Sequence, residues 1–128
     1  MFADVASADA ALITGTNTTA NHPVAATFFK EAAKRGTKLI VVDPRRPDLA
    51  DFATHYARIK PSSDVAFYNS VMHMLITEGL IDERFVEERT EGFEGLKENV
   101  AHFPPESAAK ICGIEAEQIR TIARDIGH

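Results

Sequence analysis

The chain has 128 residues, 45% of them hydrophobic and 26% charged, the composition of an ordinary globular domain and not of a disordered segment. Its longest apolar runs, Ala10 to Ile13 and Leu39 to Val42, fall far short of the roughly 20 residues of a membrane helix, and no basic-then-apolar leader opens it. The formal charge of −5 is uneven: residues 1–64 carry eight Lys and Arg against seven acids, and residues 65–128 carry six against twelve. An anionic ligand therefore belongs on the first half, and nucleic acid is a poor partner. The single cysteine, Cys112, allows neither an internal disulfide nor a thiol metal cluster, so the expectation is a cytoplasmic chain without membrane contact, with export of a longer parent left open.

In chain order, Ala10 to Thr14 is an apolar run stopped by Gly15, the pattern of a strand buried on both faces. A polar loop follows, and Pro23 in the first position opens a helix over 23–35, capped by Asn21 or His22 and ended by Gly36. Val24, Phe28 and Ala32 share a helical spacing and form its expected inner face. Lys38 to Asp43 reads as a strand over 38–42 ending on an acid. Strand, helix and strand in about 35 residues make a βαβ unit with a parallel sheet. A short helix over 47–52 and a third strand over 55–59 complete this part.

The remainder is expected to be helical, over 65–78, 82–88, 93–102, 105–111 and 115–126. Phe67, Val71, Met74 and Leu75, then Leu96 and Val100, then Ile119, Ile122 and Ile126 supply the apolar faces. The expected architecture is a single α/β domain: a Rossmann-like parallel sheet of about three strands with helices on both faces (1–63), followed by a helical half (64–128). A start close to a strand and a stop at a helix end suggest a piece of a longer chain.

Ligands of open parallel sheets sit beyond the carboxyl ends of the strands, so three loops matter. The first, Gly15-Thr16-Asn17-Thr18-Thr19, lacks the second and third glycines of the G-x-G-x-x-G fingerprint, which disfavours an ordinary NAD turn. Its hydroxyls and the following helix N-terminus suit a diphosphate; it also fits a plain polar surface loop. His22 stands at the mouth of that site or simply caps the helix. At the second strand end, Asp43 is placed to accept hydrogen bonds from a ribose, or to cap its own Asp-Pro turn. Arg45 and Arg46 offer forked donors to a phosphate, or are merely solvated. The third loop, Lys60-Pro61-Ser62-Ser63-Asp64, ends on a carboxylate that matches the N1–H and N2–H₂ edge of guanine, or that caps the next helix. No histidine cluster has metal spacing, no nucleophile, base and acid set stands out, and Cys112 reads as a small buried residue before a turn.

The ordered series Ala8 to Asn17, His22-Pro23 and Ile40-Val41-Val42-Asp43-Pro44-Arg45 resembles the dinucleotide-binding domain of the molybdopterin oxidoreductases. Phe85 to Glu94, Pro105-Glu106-Ser107 and Ile111-Cys112-Gly113-Ile114 followed by Glu117-Gln118-Ile119 make it more narrowly similar to the alpha subunits of formate dehydrogenases. The resemblance implies a bis(molybdopterin guanine dinucleotide) cofactor holding Mo or W in a parent that oxidises formate and carries an iron–sulfur cluster. It gives this segment the grip on the nucleotide half, through Gly15 and Asn17, Asp43 and Arg45, and the turn Pro61 to Asp64, alongside the remaining domains of the subunit. The usual turn has glycine after the proline, where this chain has Ser62, and a positive φ there would strain a serine. The family's cluster cysteines, its metal-ligating selenocysteine or cysteine and its catalytic arginine have no counterpart here, so the segment alone is expected to be inactive. The alternatives from other classes are a stand-alone Rossmann-like binding or interaction domain, such as the central domain of thiamine-diphosphate enzymes, and a small NAD-dependent enzyme.

Overall fold

The computed structural model describes residues 7–14, 23–46 and 48–127. Gly15, Thr16, Asn17, Thr18 and His22, and with them the whole first loop, lie outside the described residues. The chain divides into two compact units, residues 1–59 and 60–128, a few residues ahead of the 63/64 boundary expected from the sequence.

The first unit contains β1 (Ala10–Thr14), α1 (Pro23–Lys34), β2 (Lys38–Val42), a 3-10 helix (Asp48–Phe52) and β3 (His55–Ala57). The strands form one parallel sheet in the order β1-β2-β3. β2 sits in the middle because Leu39, Ile40, Val41 and Val42 are four apolar residues in succession, and all four are buried. Leu39 and Val41 point to one face with Ile13. There they meet Ala26, Phe29 and Ala33 of α1 and Leu49 of the 3-10 helix. Gly36 at φ 103° ends α1, and the Thr37 N–H donates to the Ala32 carbonyl, the closing bond of a left-handed helix end.

Two expectations for this unit are corrected. β1 is not buried on both faces: it lies at the sheet edge, and Leu12 is 40% exposed. On α1 the residues at Val24 and Phe28 are exposed, and the inner face is made by Ala26, Ala32, Phe29 and Ala33. Small alanines let the helix approach the sheet, which a face led by Val24 and Phe28 would not. β3 is also shorter than expected: it ends at Ala57, level with the end of β2 at Val42, and beyond Asp43 the neighbouring chain has Pro44, which has no N–H to continue the ladder.

The second unit contains α2 (Asp64–Thr77), α3 (Glu83–Arg89), α4 (Phe93–Val100), α5 (Pro105–Cys112) and α6 (Ala116–Gly127). α2 is its centre, touching α4, α5 and α6. Phe67, Val71 and Met74 pack in a core with Val100, Ala108, Cys112, Ile119, Ile122 and Ala123. His73 Nδ1 lies 3.1 Å from the Val100 carbonyl, and Arg124 forks onto Glu78 with its Nη2 2.9 Å from Oε1. Leu96, expected on the inner face of α4, is 38% exposed; α4 contributes Val100 alone as a fully buried side chain. Among the described residues no helix is long and apolar enough to cross a membrane.

Candidate functional site at the strand ends

Parallel pairing in the first unit sets Thr14 level with Val42, and Val42 level with Ala57. The three strands therefore stop together, and every loop that leaves a strand leaves from one edge of the sheet.

The loop after β2 is the best-defined part of that edge. The Asp43 N–H still donates to Ala57 O at 3.1 Å, so this residue remains part of the sheet while its side chain enters the loop. Its Oδ1 accepts the Arg45 N–H at 2.9 Å, closing an Asx turn around Pro44. Turn capping thus occupies one carboxylate oxygen; Oδ2 has no hydrogen-bond donor among the described residues. Tyr56 donates its hydroxyl to the Asp43 carbonyl at 3.3 Å, and Arg58 Nε donates to the Pro44 carbonyl at 3.1 Å. Arg46 pairs with Asp51 and lies over the Tyr56 ring, 5.5 Å from its centroid. Arg45 is exposed, and its guanidinium has no partner among the described residues. The two adjacent arginines therefore do different things: one braces the loop and the other is available to an anion.

Tyr56, Arg58 and Asp51 are supports that sequence reasoning missed. Tyr56 and Arg58 alternate along the chain and so project to the same side, which was a usable signal. The Arg46–Asp51 spacing of five matches no helical or strand rule, so no signal marked it. Burial pushes the Tyr56 hydroxyl above its ordinary value, with Arg58 opposing that and the Asp43 charge adding to it.

The candidate residues of the third loop belong to the second unit. The Ser63 N–H donates to Lys60 O at 3.2 Å and its hydroxyl to the same oxygen at 2.5 Å. Pro61 and Ser62 are the two central residues of the turn so closed, and Ser62 has φ 64°, the backbone that a type II turn demands of its third residue. The reading of Asp64 as the helix cap is corrected: the N-cap is Ser63, whose hydroxyl is committed backwards to Lys60, and Asp64 is the first residue of α2. Its exposed carboxylate is not spent on the cap. A cleft of about 450 Å³ in the same unit, lined by Ile76, Ile81, Val86, Thr90 and Phe93 among others, includes none of the candidate residues.

The family profile of the molybdopterin oxidoreductases matches residues 1–122. The chain belongs to that family. It is 42% identical over 125 residues to the F420-dependent formate dehydrogenase subunit alpha of Methanocaldococcus jannaschii, covering 98% of this chain and 19% of that protein. It is 36% identical over 121 residues to formate dehydrogenase H of Escherichia coli, covering 94% of this chain and 17% of that one. Among solved structures, acetylene hydratase from Pelobacter acetylenicus superposes with a TM-score of 0.83 at 37% identity, covering 90% of this chain and 16% of that one. The chain thus spans less than a fifth of the length of these relatives. It is a molybdopterin oxidoreductase domain of the kind found in formate dehydrogenase alpha subunits and related molybdoenzymes, which sets aside the stand-alone interaction module. Membership implies a molybdopterin cofactor with Mo or W. In the first unit the open Oδ2 of Asp43 suits a hydroxyl donor, and the guanidinium of Arg45, without a partner among the described residues, suits a phosphate of such a group.

Proposed function

We propose that this segment grips the guanine nucleotide half of a bis(molybdopterin guanine dinucleotide) in the alpha subunit of a formate dehydrogenase. The parent oxidises formate to carbon dioxide and passes the electrons to an iron–sulfur cluster; the bound metal supplies the redox chemistry. Asp43 accepts from a ribose hydroxyl through Oδ2 while Oδ1 keeps the loop closed. Arg45 meets a phosphate, and Thr16, Asn17 and Thr18 with Gly15 and the entry at His22 follow the diphosphate. Asp64, on the turn with Pro61 and Ser62, takes the N1–H and N2–H₂ pair of guanine, which adenine does not offer.

The observation that carries this reading is the half-used carboxylate of Asp43 at the level carboxyl edge of a parallel sheet, next to an arginine whose guanidinium has no partner among the described residues. The charge balance agrees, since the acidic excess lies in the helical half and an anion is drawn to the other. Formate dehydrogenase names among the relatives support the substrate. Comparable identity to a hydratase suggests that the segment serves a shared cofactor and leaves the choice of substrate to the rest of the subunit.

An NMR titration tests it. Cut from its parent, the segment should bind GDP weakly, with Kd on the order of 1 mM, equivalent to about −4 kcal/mol. GDP should move the amides of residues 15–19, 43–46 and 61–64 more than ADP or NAD does. Asp43→Ala should weaken the response about tenfold, the size of one hydrogen bond to a charged acceptor. Stronger shifts with NAD, or three nucleotides that all leave these loops unmoved, would overturn the guanine assignment.

A further inference from the structure

The C-terminus of α5 and the 60–63 turn, both in the second unit, are joined at several points. The Lys60 N–H donates to the Cys112 carbonyl at 2.8 Å. The Cys112 thiol, fully buried, donates to the Ser63 carbonyl at 3.5 Å. Gly113 caps α5 at φ 75°, and the Lys60 side chain lies against it so closely that a Cβ on Gly113 would come within 2.8 Å of Lys60 Cε and 3.1 Å of Cγ. Ser63 in turn returns both its N–H and its hydroxyl to Lys60. Residues 60 and 63 are therefore fixed, and the pyrrolidine ring restricts Pro61. Between these two held ends the turn closes with Ser62 at φ 64°, a conformation that suits glycine. Strain of this kind persists only where its surroundings over-determine it. Burial pushes the Cys112 thiol further above its ordinary value, so it is a donor at neutral pH and beyond.

We infer that Cys112 and Gly113 are positioning residues for the nucleotide turn, acting through Lys60 and Ser63 to hold Ser62 at positive φ and so to set where Pro61 to Asp64 present their polar groups. The inference rests on the reading of that turn as a nucleotide contact. A glycine after Pro61 would adopt the turn unaided; a serine there depends on the α5 joint.

The test uses the whole chain with two independent readouts. The first is the intraresidue HN–Hα cross-peak of Ser62, intense only at positive φ. The second is the GDP-induced shift of residues 61–64, measured beside that of 43–46 in the same sample. Cys112→Ala should weaken the Ser62 cross-peak and lower the response of 61–64 about fivefold, the equivalent of one ordinary hydrogen bond, while 43–46 respond as before. Cys112→Ser, which keeps a donor, should preserve both. Ser62→Gly in the Cys112→Ala background should restore the 61–64 response, because glycine no longer needs to be held. If Cys112→Ala unfolds the helices, Gly113→Ala takes its place and should give the same two losses by displacing Lys60. An unchanged Ser62 cross-peak in the folded variant, or no recovery with Ser62→Gly, would overturn the inference. Absence of any GDP response in the unsubstituted chain would instead defeat the nucleotide reading, and the cross-peak alone would then decide whether the joint holds the turn.

Discussion

The two units of the chain present their candidate residues by different means. In the first, position follows from topology. Parallel pairing levels the ends of β1, β2 and β3, so Asp43 and Arg45 reach the edge wherever the sheet forms, and Tyr56 and Arg58 need only steady the loop from the neighbouring strand. In the second unit no sheet does this. The turn that carries Ser62 and Asp64 is held by a helix end some fifty residues later in sequence, through Lys60, Cys112 and Gly113. A sheet edge makes a site from local sequence, whereas a helical bundle must make it from a long-range contact.

The largest expected effect tests whether each unit rests on its own core. Phe67→Ala, at the centre of the helical unit, should cost about 3–5 kcal/mol, and Leu39→Ala, in the central strand, about 2–5 kcal/mol. Both side chains are fully buried. Urea unfolding followed by far-UV circular dichroism measures these losses, and the chain has no Trp to serve as a fluorescent probe. A cost under about 1 kcal/mol for either, the range of a surface change, would show that its unit is not organised around that residue.

A smaller effect separates contact from support at the sheet edge. Arg45→Ala should leave stability unchanged, because its guanidinium has no partner among the described residues, and should weaken the GDP response of 43–46. Arg46→Ala should cost about 0.5–1 kcal/mol, since it removes an exposed ion pair with Asp51 and a cation–π contact with Tyr56. Equal losses of stability for the two variants, read from urea midpoints, would erase the distinction between the adjacent arginines.

The same contrast governs how much was legible in the sequence. β2 was readable because Leu39 to Val42 has no polar interruption, and α2 because Phe67, Val71 and Met74 repeat at helical spacing. The identity of Asp43 and Arg45 as edge residues followed from the strand ending before Pro44. The inner face of α1 was not readable: Phe28 and Phe29 are adjacent, and only the sheet decides that Phe29 turns inward with the alanines. Neither was the edge position of β1, since an apolar run looks alike at the centre and at the rim. Ser62-Ser63-Asp64 offers three capping residues in a row, and the choice of Ser63 depends on Lys60 being held elsewhere. Cys112 was legible as buried; its tie to Ser63 spans a sequence separation of 49 and left no local mark.

The smallest expected effect is alkaline, and it sorts the two units by pH. In the helical unit burial pushes the Cys112 thiol above its ordinary value of 9.0; the Asp64 charge acts the same way, and the hydrogen bond with Ser63 opposes both. The unfolded chain releases this proton first, so its contribution to stability is full below about pH 9 and is lost as pH rises through the folded value. In the sheet unit Tyr56 is raised from 10.0, chiefly by burial, so its loss begins later on the same ramp. Unfolding midpoints between about pH 8 and pH 11 should therefore fall in two steps. Cys112→Ala should remove the earlier step and leave the later one, and Tyr56→Phe should do the reverse. The thiol is a donor to Ser63 only while protonated, so in the folded protein the Ser62 Hα shift, which needs no amide proton, should move at the upper end of the earlier step, where the folded thiol titrates. An alkaline loss that survives in Cys112→Ala with its lower step intact would mean that the thiol does not titrate with the turn it contacts.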